Sequence, residues 1–143
     1  RNQLDQYRGR LSGPVADRID LFVQVYPVDF RTLTEESAGS SKQLREKVLR
    51  GRDMQEERFR GCRISLNSQM EERHLKEFCP LADEESAFLE RMVSQYHLST
   101  RRCVKLVRVA RTVADLAGCR DITMHHLAAA FRYTMLEKES RGE

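Results

Sequence analysis

The chain has 143 residues, 40% hydrophobic and 33% charged, with 25 Lys and Arg against 22 Asp and Glu for a net charge of +3. That is enough apolar material for one or two small domains with a core, and too mild a basic excess to demand a nucleic-acid partner. No run approaches the roughly 18–20 apolar residues that a bilayer span needs, and no signal-peptide order opens the chain, so a cytoplasmic location without a membrane partner is expected.

Residues 2–10 are polar, with Leu4 and Tyr7 at helical spacing, and Ser12-Gly13-Pro14 then reads as a turn restarting a short helix over 15–18. Residues 19–26 are β-branched and aromatic and end at Pro27, which is the one strand signal in the chain. A lone strand cannot satisfy its own backbone groups. Either its sheet lies upstream in an α/β domain, or the segment packs as an extended arm on the helices that follow. Thr, Glu, Ser and Gly dominate 28–41, which predicts a linker.

Beyond it the period becomes helical. Ser40 and Gln43 form a capping-box pattern ahead of a helix over 42–60 carrying Leu44, Val48, Leu49 and Phe59, with Gly51 a candidate bend. Arg45, Lys47, Arg50, Arg52, Arg58 and Arg60 are spread around it, as on a solvated helix. After an irregular stretch over 61–66, Asn67 or Ser68 is expected to cap a helix over 69–78, and Asp83 one over 84–96 whose Phe88, Leu89, Met92 and Val93 face inward.

The clearest helix spans 99–118, with Ser99 as N-cap and Gly118 as terminator. Cys103, Leu106, Val107, Ala110, Val113, Ala114 and Ala117 share one arc, and Arg101, Lys105, Arg108, Thr112 and Asp115 fall opposite. From spacing alone, Arg101 and Arg102 read as solvated residues. Arg101 nevertheless lies in the first turn, where free N–H groups and the helix dipole favour an anion. Thr123 is expected to cap the last helix, 124–136, with Leu127, Ala128, Phe131 and Met135 toward the core, before a frayed charged tail. The cysteines, Cys62, Cys79, Cys103 and Cys119, lack metal-ligand spacing, and His125 and His126 point two ways on this helix, so no metal site and mostly buried, reduced thiols are expected.

Two stretches resemble a known family. Leu11-Ser12-Gly13-Pro14-Val15-Ala16-Asp17-Arg18-Ile19-Asp20 is similar to the end of the ATPase core in the magnesium chelatase subunit I and ComM/YifB family of AAA+ ATPases. Leu98-Ser99-Thr100-Arg101, continuing through Val109-Ala110-Arg111-Thr112-Val113-Ala114-Asp115-Leu116, resembles the same family's C-terminal signature. The resemblance implies a mainly α fold: a helical AAA+ lid over 42–138, preceded by a core remnant over 1–27 with one strand and a linker over 28–41, and followed by a tail over 139–143.

It also implies site residues. Arg18 matches an arginine finger acting in trans on the neighbouring protomer's γ-phosphate, and Arg101 matches the sensor 2 arginine, with Arg102 as the alternative because a small residue usually follows that arginine. The implied cofactors are ATP and Mg²⁺ in a longer parent, and the implied partners are its upstream core, a ring of protomers expected to be hexameric, and DNA. The chain starts at Arg1 without a methionine and contains neither a Gly-x-x-x-x-Gly-Lys-Ser/Thr phosphate loop nor the acidic magnesium-binding motif, so it is expected to be an excised piece that does not hydrolyse ATP alone. Ser-Gly-Pro before Asp-Arg resembles the ComM/YifB branch, associated with DNA branch migration, more than the chelatase subunits, which drive magnesium insertion into porphyrin. An autonomous helical nucleic-acid-binding module is the reading of a different class, motivated by the basic residues at 42–63 and 101–111.

Overall fold

A computed structural model describes residues 15, 18–23, 25 and 40–135. Five α-helices lie between residues 40 and 135: α1 (Ser41–Arg58), α2 (Glu72–Phe78), α3 (Asp83–Tyr96), α4 (Thr100–Leu116) and α5 (Met124–Thr134), with a 3-10 turn at Asn67–Gln69. The predicted polar segment 2–10, most of the linker and the charged tail fall outside the described residues.

Helix α4 is the hub. It packs against α1, the 3-10 turn, α2 and α5, while α3 lies on α5. Its termini are those written in the sequence: the Ser99 hydroxyl accepts the Arg102 N–H at 3.4 Å, and Gly118 takes φ +72° just past the end. Leu106, Val107, Ala110 and Ala114 are buried as expected, and Leu106, Val107 and Ala110 join Phe59, Met70, Cys79, Ile122, Leu127 and Ala130 in one core. Phe59 meets Phe78 edge-on with centroids 5.1 Å apart, and Tyr96 packs on Phe131 at 4.7 Å, tying α3 to α5.

The opposite face departs from its expected exposure. Lys105 and Asp115 are buried, and so is Arg111, because α1 and the segment around residue 20 cover that side. Asp115, with no exposed surface, accepts from both terminal nitrogens of Arg58, one at 2.9 Å, from Arg111 Nε at 3.0 Å and from the Asn67 amide at 2.7 Å. Asn67 also donates to Thr112 Oγ1 at 3.1 Å and accepts from Arg58 at 3.1 Å. Arg111 completes the set by donating to the carbonyls of Cys119 and Arg120. Asn67 is therefore no helix cap. Its amide is consumed by this network, and α2 starts five residues later, with Glu71 at its N-cap.

Other departures are local. Ser40 and Gln43 form the expected capping box at 3.1 and 3.3 Å. Gly51 does not bend α1, which runs unbroken to Arg58; a Cβ there would lie 3.2 Å from Leu116 Cδ2, so glycine permits the close approach of α1 to the end of α4. Leu44, Val48 and Leu49 are exposed. Ala82, not Asp83, holds the N-cap of α3, whose apolar face is only half-buried because α3 forms the outer layer. Ala128 is exposed. Of the thiols only Cys79 is buried, and burial pushes its pKa up to about 11, marking it as inert.

No strand occurs among the described residues. In the segment predicted as a strand, the Phe22 N–H donates to the Tyr133 carbonyl at 2.7 Å and the Ile19 carbonyl accepts from Lys105 Nζ at 2.7 Å. The segment packs as an arm on α4 and α5, the alternative that the sequence left open.

Two predictions follow from the packing. Removing the carboxylate in Asp115→Ala strands two guanidinium groups, one of them on Arg111 with a side chain 2% exposed, and should cost about 3–5 kcal/mol in urea denaturation; a loss below about 1 kcal/mol would contradict the network's role. The second concerns His126, whose Nδ1 accepts the Thr123 N–H at 3.0 Å at the start of α5. Desolvation, then Arg111 and His125, lower its pKa below the ordinary 6.5. Because the folded state disfavours the proton, stability is complete above about pH 6.5 and falls as pH drops through the lowered value. His126→Gln keeps an acceptor for Thr123 and should flatten that part of the pH–stability curve, as read by thermal melts across the acid range.

Candidate functional site

The residues singled out by the resemblance lie at the N-terminal end of α4 and on the arm beside it. Arg101 is exposed in the first turn, and Arg102 is half-buried with its amide engaged by the Ser99 cap. Arg18 is exposed, and its N–H donates to the Val15 carbonyl at 3.0 Å, an i to i−3 turn that fits the short helix expected there. Lys105 joins the two segments. It lies one turn beyond Arg101 on α4 and binds the carbonyl of Ile19, the residue after Arg18, with the Asp20 carboxylate 3.9 Å away.

The electrostatics of this end are unusual for a helix start. The first turn of α4 holds no acidic residue, and Arg101, Arg102 and Lys105 crowd the end where the helix dipole is already positive. Cations there oppose the dipole and one another, so the arrangement disfavours the folded helix slightly while favouring an anion. That is the charge pattern of a site for phosphate or carboxylate oxygens. No cluster of three or more His, Cys, Asp or Glu able to hold a metal ion occurs among the described residues.

Alongside lies a cavity of about 440 Å³ between the arm and α4, walled by Leu21, Val23, Arg108, Val109, Val113 and Tyr133. Arg108 Nε is buried there without a hydrogen-bond partner among the described residues. Sequence reasoning missed both Lys105 as a tether and Arg108 as a cavity wall. It had placed them on a solvated face, and no local pattern announces an arm folding back across 86 residues.

A mainly helical domain whose capped central helix carries arginines at its N-terminus is the class the fold defines. The family model described as "Magnesium chelatase, subunit ChlI C-terminal" matches residues 38–134, and the chain belongs to that family. It is similar to the competence protein ComM of Haemophilus influenzae, 39% identical over 133 residues that make up 92% of this chain and 25% of that protein. It is also 31% identical to the uncharacterized protein YifB of Escherichia coli over 135 residues, 93% of this chain and 26% of that protein. An uncharacterized protein of Mycobacterium tuberculosis is 28% identical over 128 residues, 90% of this chain and 25% of its own. The chain thus spans about a quarter of the length of these curated relatives. No helix among the described residues is long and apolar enough to cross a membrane.

If the cations at the start of α4 are held there for an anion, removing one should help the fold. Arg101→Ala is expected to leave the melting temperature of this chain unchanged or to raise its stability by a few tenths of a kcal/mol, about the size of a surface charge–dipole term. A clear destabilisation would instead make Arg101 a structural residue.

Proposed function

We propose that the chain is the C-terminal lid of a ring-forming AAA+ ATPase, with Arg101 serving nucleotide bound by its own subunit and Arg18 serving nucleotide bound by the next. The observation that carries this reading is the Lys105 to Ile19 hydrogen bond at 2.7 Å, which couples the arginine-bearing arm to the arginine-bearing end of α4. A displacement of α4 driven by nucleotide at Arg101 would be passed to the Arg18 segment through that contact.

In phosphoryl transfer the developing charge spreads over the phosphoryl oxygens, and a guanidinium placed against them lowers the barrier. Arg18 fits this role by its exposure on a segment at the edge of the domain. Between Arg101 and Arg102, the exposed Arg101 is the better candidate for the subunit's own nucleotide, since Arg102 is half-buried and its amide is tied to the cap. ATP and Mg²⁺ would be held chiefly by the upstream core, where residues 19–25 would also find their sheet partners.

For the motor's substrate we favour DNA, as a branch-migration enzyme. The support is the Haemophilus influenzae relative, a competence protein, at 39% identity over nearly all of this chain.

The test uses the full-length protein. Arg18→Ala should abolish ATP hydrolysis, a loss of about 10³-fold or more, while ATP binding stays within a few-fold of wild type. Normal turnover would sink the arginine-finger role. Forked DNA should bind the full-length protein and stimulate its hydrolysis; absence of both effects would remove DNA as the substrate while leaving the ATPase assignment standing.

A further inference from the structure

The first ten residues of α1, 41–50, are all exposed. Gly51 is the point where α1 reaches the last residue of α4, so this half of the helix extends beyond the bundle by about 15 Å at 1.5 Å per residue. It is not a uniformly solvated extension. Leu44 and Val48, 60% and 53% exposed, fall with the buried Gly51 and Gln55 inside an arc of about 60° at 100° per residue. The face that packs on α4 therefore continues past the end of α4, and none of the described residues covers Leu44 and Val48 there. Lys47 flanks the Leu44–Val48 stripe on one side, and Arg45 and Arg52 flank it on the other.

A complementary surface lies elsewhere on the same chain. Along α3, Glu84, Ala87, Glu90, Arg91 and Ser94 share one face, and with Met124 from the start of α5 they line an open groove of about 980 Å³. It offers Ala87 and the exposed Met124 to an apolar stripe, and Glu84 and Glu90 outweigh Arg91 in its lining, with Asp83 and Glu85 adding negative charge at the same helix start. None of Arg45, Lys47, Arg52, Glu84 or Glu90 forms an ion pair among the described residues.

We propose that the projecting half of α1 docks into the α3 groove of a second copy of this chain. Leu44 and Val48 then cover Ala87 and Met124, and Arg45, Lys47 and Arg52 face Glu84 and Glu90 of the partner copy. The two surfaces are different patches, so the contact is head-to-tail: one copy keeps its groove free, the other its α1, and the pair as a whole retains one free patch of each kind. The match of an apolar stripe with cationic flanks to a groove of apolar and net acidic lining favours this occupant over nucleic acid, which would use the cations and leave Leu44 and Val48 exposed. The inference stands on the two surfaces and needs neither nucleotide nor the arginine roles proposed above.

The experiment is sedimentation velocity on the 143-residue chain from micromolar to near-millimolar concentration at low salt, with no nucleotide present. The wild-type chain should self-associate. Reversing α1 charges (Arg45→Glu with Lys47→Glu) and, in a second chain, reversing groove charges (Glu84→Lys with Glu90→Lys) should each weaken self-association by ~10-fold or more. An equimolar mixture of the two variants should recover association, since each reversed α1 meets a reversed groove. Leu44→Ser with Val48→Ser should weaken association equally and leave the melting temperature in place, because both positions are exposed in the monomer. A chain that stays monomeric throughout, or variants that associate like wild type, or a mixture without recovery, would overturn the proposal. So would a monomeric chain whose α1 variants lose affinity for duplex DNA, which would make the projection a nucleic-acid face.

Discussion

The domain depends on one buried carboxylate. Asp115 is wholly removed from solvent, where a carboxylate without partners is costly to bury. It stays in place because two guanidinium groups and an amide converge on it: Arg58 from the end of α1, Arg111 from one turn earlier on α4, and Asn67 from the 3-10 turn. A buried ion pair is weak evidence for stability as such, because desolvation offsets much of the attraction. Its effect here is on register. Each partner has only one position in which it reaches Asp115, so the carboxylate fixes where α1 crosses α4 and where the chain turns between them, and Arg111 extends the constraint to the turn after α4 through the Cys119 and Arg120 carbonyls.

This divides α4 into two ends with different tasks. The C-terminal half is locked by the network and by the close approach at Gly51. The N-terminal half carries Arg101, Arg102, Lys105 and Arg108, with no acid in its first turn, and is held to the arm by a single lysine. With the far end held by the network and the exposed Arg101 at the start, a movement of the start of α4 would shift the arm that Lys105 holds. In the proposed function this is how nucleotide at one subunit would be felt at Arg18.

Where the sequence was informative, the reason was local. Ser40 with Gln43, Ser99 and Gly118 mark helix ends through bonds made within a few residues of themselves, and each was legible. Apolar periodicity found the inner face of α4 for the same reason. Legibility failed where tertiary partners decided the outcome. Asp115 and Lys105 sit at positions that a helical wheel assigns to solvent, and only α1 and the arm, far away in sequence, bury them. The i, i+4 spacing of Arg111 and Asp115 was the one available hint of a buried pair. Asn67 has the chemistry of a cap, and nothing in its neighbours reveals that its amide is taken by Asp115. Leu44 and Val48 read as core because an apolar residue at helical spacing usually is; the helix they belong to simply outruns its partner.

The arm shows the same limit from the other side. Residues 19–25 have β-branched and aromatic composition, yet a strand is a property of a pair, and among the described residues the segment's backbone meets the Lys105 ammonium and the Tyr133 carbonyl but no second strand. Leu21, Val23 and Val25 remain exposed at alternate positions. Alternating side-chain exposure is compatible with an extended segment, but no described residue pairs it into a sheet. The family match begins at residue 38, after the arm. Among the described residues Lys105 ties α4 to the arm, and this gives a buried ammonium group on α4 a role that its sequence position alone would never have suggested.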